Sequence, residues 1–416
     1  MGGITVPEFL ELLPPAAALE KLLKQLPKSV LPSEDIATID SLGRVLKSQV
    51  LAPEPLPAFA RSTVDGYALH AADTFGANES LPAYLPLMGE VPMGTAPGFE
   101  LPRGAAAAIH TGGMLPVGAD AVLMLEYTQL SRPAELEIMR AVGVGENVLK
   151  VGEDVETGQM VLPAGTLLRA AEIGGLLALG ITCVDVVRPP RVAILSSGDE
   201  VVPPEQVVQP GQVRDINSYS LSALVTEAGG EPVRYGIVAD REDAVKSALQ
   251  TALAESDLVV VTAGSSASTR DLTARVVNTL GKPGVLVHGV NVKPGKPTIL
   301  AVCDGKAVIG LPGNPVSALV IARLFVVPLI ERMLGLPANR IRPSVAARLT
   351  VNLASQAGRE DFVPVRLVST PKGMDADPIF FKSNLIFTLA RADGLVHIPA
   401  DANGLPAGSP VQVELL

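Results

Sequence analysis

Between Pro190 and Gly335, short apolar runs alternate with stretches of helical period, and a chain with that rhythm has few ways to fold. Arg191–Ser196, Pro232–Val238 and Asp257–Thr262 read as strands, the last of the fully buried kind. Leu221, Leu224, Val225 and Ala228 fall at helical spacing, and Arg241–Glu255 and Asp271–Leu280 also read as helices. Strands that alternate with helices form a parallel sheet covered on both faces, a doubly wound α/β domain. Val285–Val290 adds a strand, and Ile299–Cys303 and Lys306–Ile309 flank Asp304-Gly305, a strong hairpin signal. A helix over Pro315–Leu334 closes the domain. Consecutive prolines end regular structure, so Arg188-Pro189-Pro190 marks one boundary and Gly335–Pro337 the other, giving a domain over 189–335.

A chain of 416 residues exceeds one ordinary domain, and the flanks differ from the centre. The N-terminal region, 1–188, starts with a helical stretch over Val6–Leu26 that Pro14-Pro15 breaks. It carries a β-rich module at about 76–148, where short Val, Leu and Met runs such as Ala119–Thr128 alternate with Gly and Pro. Helical propensity returns at Ala170–Leu179. Residues 336–416 show short strands and no long helical pattern, which predicts a small C-terminal β-barrel or sandwich. The fold class is therefore α/β multidomain. With aromatics at 3% and no Trp, the cores must rest on Val, Leu, Ile and Ala.

Charge and composition narrow the function. A net charge of −10 argues against nucleic acid as a partner, because such a binder needs a basic face. Cys183 and Cys303 lie in apolar runs and read as buried free thiols, and four scattered His with two Cys make no zinc site. The N-terminus lacks the basic and apolar regions of a signal peptide. The most apolar stretch, Val316–Ile330, is interrupted by Arg323 and Pro328 and is too short to span a bilayer. The expectation is a cytoplasmic protein with no membrane partner.

Three loops fall at carboxyl ends of strands, where open α/β sheets bind ligands. They are Ser196-Ser197-Gly198-Asp199-Glu200, Ala263-Gly264-Ser265-Ser266-Ala267-Ser268-Thr269 and Gly310-Leu311-Pro312-Gly313-Asn314-Pro315. Small residues admit a ligand close to backbone N–H groups, and a helix N-terminus favours phosphate. One such loop alone reads as an ordinary tight turn; three on one sheet edge point to a phosphate or nucleotide pocket. Lys293-Pro294-Gly295-Lys296-Pro297-Thr298 sets two lysines on a stiff loop, suited as point charges to an oxyanion, against the plainer reading of a solvated loop. Asp65, Asp154, Glu200, Asp240 and Asp271 stand in turn-like sequence. Oxygen donors of this kind suit Mg²⁺, although each alone reads as a turn or N-cap residue, Asp271 above all.

Taken in order, several stretches resemble the MoeA/gephyrin family of molybdopterin molybdenumtransferases. They are Thr63-Val64-Asp65-Gly66-Tyr67-Ala68, His110-Thr111-Gly112-Gly113 with Gly118-Ala119-Asp120, Gly152-Glu153-Asp154, Ser197-Gly198-Asp199-Glu200, Lys293–Thr298 and Gly310–Ser317. The resemblance runs over nearly the whole chain. It implies a pterin-binding α/β domain at about Pro190–Gly335 and a homodimer with each site shared between subunits. The implied reaction joins molybdate to adenylylated molybdopterin and releases AMP, with Mg²⁺ as cofactor. It also implies catalytic roles for Asp65, Asp154, Asp240, Asp271, Lys293 and Lys296, and substrate contacts at Thr111, Gly198, Glu200, Gly264, Ser266, Pro312, Gly313 and Pro315. Glu200, Asp240 and Asp271 would hold the metal. Proteins that supply molybdopterin, and molybdoenzymes that accept the product, are the implied partners. Two places depart from the family pattern: Ala263 and Ser268 stand where glycines are usual, and Leu149 precedes Lys150 where an Arg is common. The alternatives are a molybdopterin adenylyltransferase, which would consume ATP, and a non-catalytic pterin-binding scaffold.

Overall fold

Ile194, Val260 and Ile309 are fully buried at the middle of a six-stranded sheet, the outcome expected of strands apolar on both faces. The computed structural model describes residues 12–263, 267–338, 340–380 and 382–416. The sheet is built from β1 (Arg191–Ser197), β2 (Glu231–Val238), β3 (Leu258–Ala263), β4 (Pro283–His288), β5 (Ile299–Cys303) and β6 (Lys306–Pro312). Its order is β2-β1-β3-β6-β5-β4. The first four strands of that order run parallel, and β5 and β4 continue the edge antiparallel. Helices α1 (Asn217–Glu227), α2 (Glu242–Glu255) and α3 (Ala267–Val277) connect these strands. Val245, Leu249 and Ala252 of α2 and Leu272, Val276 and Val277 of α3 pack with Ala193, Leu195, Val259 and Val261. The other face takes α1 and α4 (Pro315–Ile321), which touch each other and the sheet.

Two details of this domain differ from the sequence reading. The helix after β3 begins at Ala267, so Asp271 lies inside α3 rather than capping it. The Ala-Ser-Thr sequence that reads as loop is helical here. The helix expected over Pro315–Leu334 is broken into α4, a π segment at Ala322–Val326 and α5 (Val327–Met333). Pro328 has no N–H to give to the i−4 carbonyl, which explains the irregular turn before it. The hairpin forms as expected: Cys303 pairs Lys306, with Asp304 and Gly305 at φ 50° and 86°.

The C-terminal strands are β7 (Ser344–Leu349), β8 (Glu360–Thr370), β9 (Gly373–Pro378), β10 (Gly394–Ile398) and β11 (Pro410–Leu415). They pair in the order β8-β9-β7-β11-β10, and β10 returns to β8. That closure makes a barrel rather than a sandwich, around Val365, Ala376, Val396, Ile398 and Val413. Val292–Lys293 pairs in parallel with Glu360–Asp361 and ties the lysine loop to the barrel wall.

The chain divides into two units, one of Met1–Glu34, Gly43–Lys47 and Val186–Leu416, the other of Asp35–Leu42 and Ser48–Asp185. The first holds the sheet and barrel above, and a helix that starts at the second proline, Pro15–Lys24. In the second, Gly66–Leu69 lies between Ala121–Met124 and Ala106–Ile109 in another six-stranded sheet. The strand expected over Ala119–Thr128 is shorter, because a 3-10 turn at Leu125–Tyr127 interrupts it. Cys183 and Cys303 are both free, but only Cys303 is buried as expected; Cys183, at the start of the strand Cys183–Val187, is exposed. No helix among the described residues is long and apolar enough to cross a membrane.

One ion pair fixes the start of the central sheet. Arg188 donates from both terminal nitrogens to Asp257 at 2.8 Å, and the Arg191 N–H adds a third bond at 2.8 Å. Burial pushes the Asp257 carboxyl up, but the Arg188 and Arg191 bonds outweigh it and hold the group below its usual range. A carboxylate with a lowered folded pKa stabilises fully above its unfolded value, about 3.9. That stability is lost as pH falls through the folded value. Asp257→Asn should therefore cost about 1.5–3 kcal/mol at pH 7 in urea melts. The gap to the unaltered protein should narrow below about pH 4. An equal gap at pH 3 and pH 7 would remove the electrostatic account.

Candidate active site

From β1 the chain runs to β2 on one side, and from β3 it continues to the other, so the crevice between the carboxyl ends of β1 and β3 is the topological switch point. A cavity of about 380 Å³ opens there, lined among others by Ser196, Ser197, Glu200, Asp215, Thr262 and Gly313. Gly198, at the end of β1, has φ 152° and would bring a Cβ to 2.9 Å from Glu200 Oε2, so the turn needs glycine. Ser197 Oγ donates to Asp240 Oδ1, and the Asp240 N–H donates to Asp199 Oδ1 at 3.2 Å. The loops after β1 and β2 are thereby joined. Asp215 is buried and accepts from Ser196 Oγ at 2.9 Å and from the Ser218 N–H at 3.1 Å, which fixes the start of α1. Asn217 donates to the Gly313 carbonyl at 2.8 Å, while its Oδ1 is buried with no partner among the described residues. With Glu200 and Asp215 against Arg214, this cavity is rich in acceptors.

A second cavity, of about 640 Å³, shares Asn314 with the first and has the opposite character. Lys293, Lys296, Lys382 and Arg359 line it with a single carboxylate, Asp361. Arg359 is already bound to that carboxylate, at 2.7 Å and 3.0 Å. Three ammonium groups remain as net positive charge. The loop that carries two of them is built from its backbone: Val290 N–H and Thr298 N–H donate to the Lys296 carbonyl, each at 2.9 Å. Thr298 Oγ1 donates to the Gly295 carbonyl at 2.6 Å. Gly295 has φ 113°, and a Cβ there would overlap the Ile321 side chain. Pro294 and Gly295 are buried while Lys293 and Lys296 stay exposed, so packing holds the loop and leaves the charges to a ligand.

In the second unit, Asp65 Oδ1 accepts from the Thr111 N–H at 2.8 Å and from Thr111 Oγ1 at 3.2 Å. The Thr111 N–H, then its hydroxyl, hold the exposed Asp65 carboxyl below the usual range. His110 stands beside them, Nε2 at 2.9 Å from Glu90 Oε1 and Nδ1 at 3.6 Å from Asp65 Oδ1. Asp154 is exposed, with its N–H on the Leu56 carbonyl at 3.0 Å.

The expected residues thus fall into groups. Glu200, Gly313 and Pro315 line the acceptor-rich cavity, with Asp240 bonded to its Ser197 and Gly198 on its turn. Lys293, Lys296 and Pro312 line the cationic one. Asp271 is exposed on α3. Thr111 and Asp65 touch each other, and with Asp154 they belong to the other unit. Gly264 and Ser266 lie outside the described residues. No three carboxylates, His or Cys among the described residues converge to hold a metal ion, so Glu200, Asp240 and Asp271 do not form a closed site by themselves. Sequence reading missed Arg359, Phe380, Lys382 and Ser383, which line the cationic cavity from the barrel, and also Asp215 and Asn217.

Comparison with known proteins agrees with this layout. Residues 13–180 match the model of the MoeA N-terminal region (domain I and II). Residues 193–332 match a probable molybdopterin binding domain, and 346–416 the MoeA C-terminal region (domain IV). A molybdopterin molybdenumtransferase of a Nostoc species is 34% identical over 376 residues, 89% of this chain and 86% of the relative. One from Bacillus subtilis is 31% identical over 396 residues, 92% of this chain and 90% of the relative. The solved structure of a molybdopterin biosynthesis MoeA protein from Pyrococcus horikoshii superposes with a TM-score of 0.84 at 31% identity, over 98% of this chain and 100% of that one.

Proposed function

The chain belongs to the MoeA family of molybdopterin molybdenumtransferases, and we infer from that footing that it inserts molybdenum into molybdopterin during molybdenum cofactor biosynthesis. The substrates we assign are adenylylated molybdopterin and molybdate, with AMP released. One observation carries the reading: a cationic cavity and an acceptor-rich cavity share a wall at Asn314, beside the switch point of the sheet. Phosphate and molybdate are oxyanions and belong at Lys293, Lys296 and Lys382. A pterin ring presents N–H donors and belongs among acceptors.

Mg²⁺ fits the donors present. Glu200 and Asp240, with Asp199 bonded beside them, offer oxygen ligands only, and Asp271 follows on α3. An incomplete protein shell is usual for this ion, which keeps waters and substrate phosphate oxygens. When bound, it would neutralise charge developing on the departing phosphate. The residues of the chain do the rest. The lysines hold both oxyanions at fixed distance, Ser197 and the Asp199 carboxylate orient Asp240, and the buried Asp215 keeps the α1 entrance in place. No side-chain nucleophile is required, since the two dithiolene thiols of the substrate would bond to molybdenum as one oxo ligand of molybdate leaves, with the two thiol protons, as water.

Asp65, Thr111 and Asp154 complete the site in this proposal from a second subunit. Light scattering should give roughly twice the chain mass of 43.1 kDa, and a fully active monomer would overturn the shared site. Free thiols and the absence of a membrane-crossing helix among the described residues support a cytoplasmic setting, with molybdopterin-supplying and molybdoenzyme acceptor proteins as partners. Adenylyl transfer is not favoured, because the molybdenumtransferases above match over nearly their whole length. The test is AMP release from adenylylated molybdopterin with molybdate and Mg²⁺ in the absence of ATP. A strict requirement for ATP would reverse the assignment.

A further inference from the structure

Phe380 is 74% exposed, yet it lines the cationic cavity together with Lys293, Lys296 and Lys382. A lone exposed apolar side chain needs no explanation by itself. The setting of this one is different, because the segment that carries it is tied at both ends. On one side the Ile379 N–H donates to the Pro364 carbonyl of β8 at 2.9 Å. On the other, the Val316 N–H donates to the Ser383 carbonyl at 3.1 Å, and Asn314 Nδ2 donates to Ser383 Oγ at 2.9 Å. Asn314 is the wall common to both cavities, so these bonds fasten the Phe380 segment to the centre of the site. Among the described residues the other aromatic ring of the cavity is Phe362, which is already used: it is buried and stacked on His397 with ring centres 4.9 Å apart and planes 20° from parallel. Phe380 is left with an open face beside three ammonium groups.

We propose that Phe380 is a stacking platform for a planar nitrogen heterocycle whose phosphate is held by Lys293, Lys296 and Lys382. An aromatic face next to cations is the combination that recognises a ring joined to a phosphate, and ring stacking tolerates any heterocycle with a π face. The adenine ring of the substrate meets that description while the pterin lies among the acceptors; stacking of the pterin ring here instead would move it out of the acceptor-rich cavity. The inference rests on the transferase reading above, since that reading supplies a substrate with such rings.

The chain contains no Trp, so Phe380→Trp introduces a single indole at the position in question. Its emission should be quenched saturably by AMP if adenine stacks there, or by neopterin monophosphate if the pterin does. Ribose 5-phosphate, which has the phosphate without the ring, should leave it unchanged. Phe387→Trp serves as the off-site control, because Phe387 is 68% exposed and does not line the cavity. By calorimetry, Phe380→Ala should weaken binding of the ring-bearing ligand about ten-fold and leave inorganic phosphate unaffected. Equal affinity of Phe380→Ala and the unaltered protein for both AMP and neopterin monophosphate would overturn the platform while leaving the transferase assignment standing. Failure of the unaltered protein to bind either ligand would overturn both.

Discussion

Lys296→Ala is expected to lower turnover at limiting molybdate by roughly ten- to a hundred-fold, with the melting temperature almost unchanged. The magnitude follows from losing one charge-assisted contact to an oxyanion, about 1.5–3 kcal/mol. Such a contact keeps its strength only where the cavity excludes part of the water, so the lower half of that range applies if the ammonium stays solvated in the complex. The stability forecast has a separate basis. The bonds that close the loop come from Val290, Lys296 and Thr298 backbone atoms and from Thr298 Oγ1, none of which involves an ammonium. Lys293→Ala should behave alike, and the double variant should lose more than either single one, because both groups line one cavity with Lys382. Steady-state AMP release at varied molybdate, with a thermal melt of each variant, checks the forecast. Normal turnover at low molybdate in the double variant would take both lysines out of the site.

That cavity also shows where sequence reading stops. Lys293 and Lys296 stand out because prolines and a glycine surround them, and a stiff basic loop after a strand has few structural uses. Lys382 and Arg359 have no such setting. They reach the cavity only because the barrel closes and Val292–Lys293 pairs with Glu360–Asp361, a contact between segments with no local relation. The α/β domain was legible for the opposite reason. Strands β1, β3, β5 and β6 are buried on both faces and so read as apolar runs, whereas the edge strands β2 and β4 are only partly buried, and the Asp304-Gly305 turn states its own geometry. What escaped was backbone detail set by packing. The π segment depends on how Pro328 is accommodated inside a helix that Phe325, Val326, Leu329 and Ile330 bury in the core. The early start of α3 depends on Leu272, Val276 and Val277 finding the sheet, since Ser268 and Thr269 are weak helix formers and only Ala267 among the first three residues favours a helix by itself.

Asp240→Asn should cut turnover about a hundred-fold or more, and raise the Mg²⁺ concentration needed for half-maximal rate, while leaving the fold intact. Breaking the bond between the pterin and AMP builds negative charge on the departing phosphate. A hard cation offsets it only when ionised oxygens hold that cation in place. Asn keeps the size of Asp and one carbonyl oxygen, so it can still accept from Ser197 Oγ, and the backbone N–H still reaches Asp199. What it loses is the charge. Asp271→Asn is the sharper comparison, because its plain rival has changed. A cap of α3 would have tolerated Asn without any effect. Asp271 instead lies inside the helix, exposed, where Asp and Asn have similar helix propensity, so stability should again be unmoved. A large loss of turnover at this position would then have no structural explanation and would mark the carboxylate as part of the cation's surroundings. AMP release across a Mg²⁺ titration, beside a urea melt, separates the cases. Normal Mg²⁺ dependence in Asp271→Asn with a defect in Asp240→Asn would confine the cation to Asp240 and Glu200. Normal dependence in both would remove Asp240 and Asp271 from metal binding and leave Glu200 as the one assigned carboxylate still to be tested.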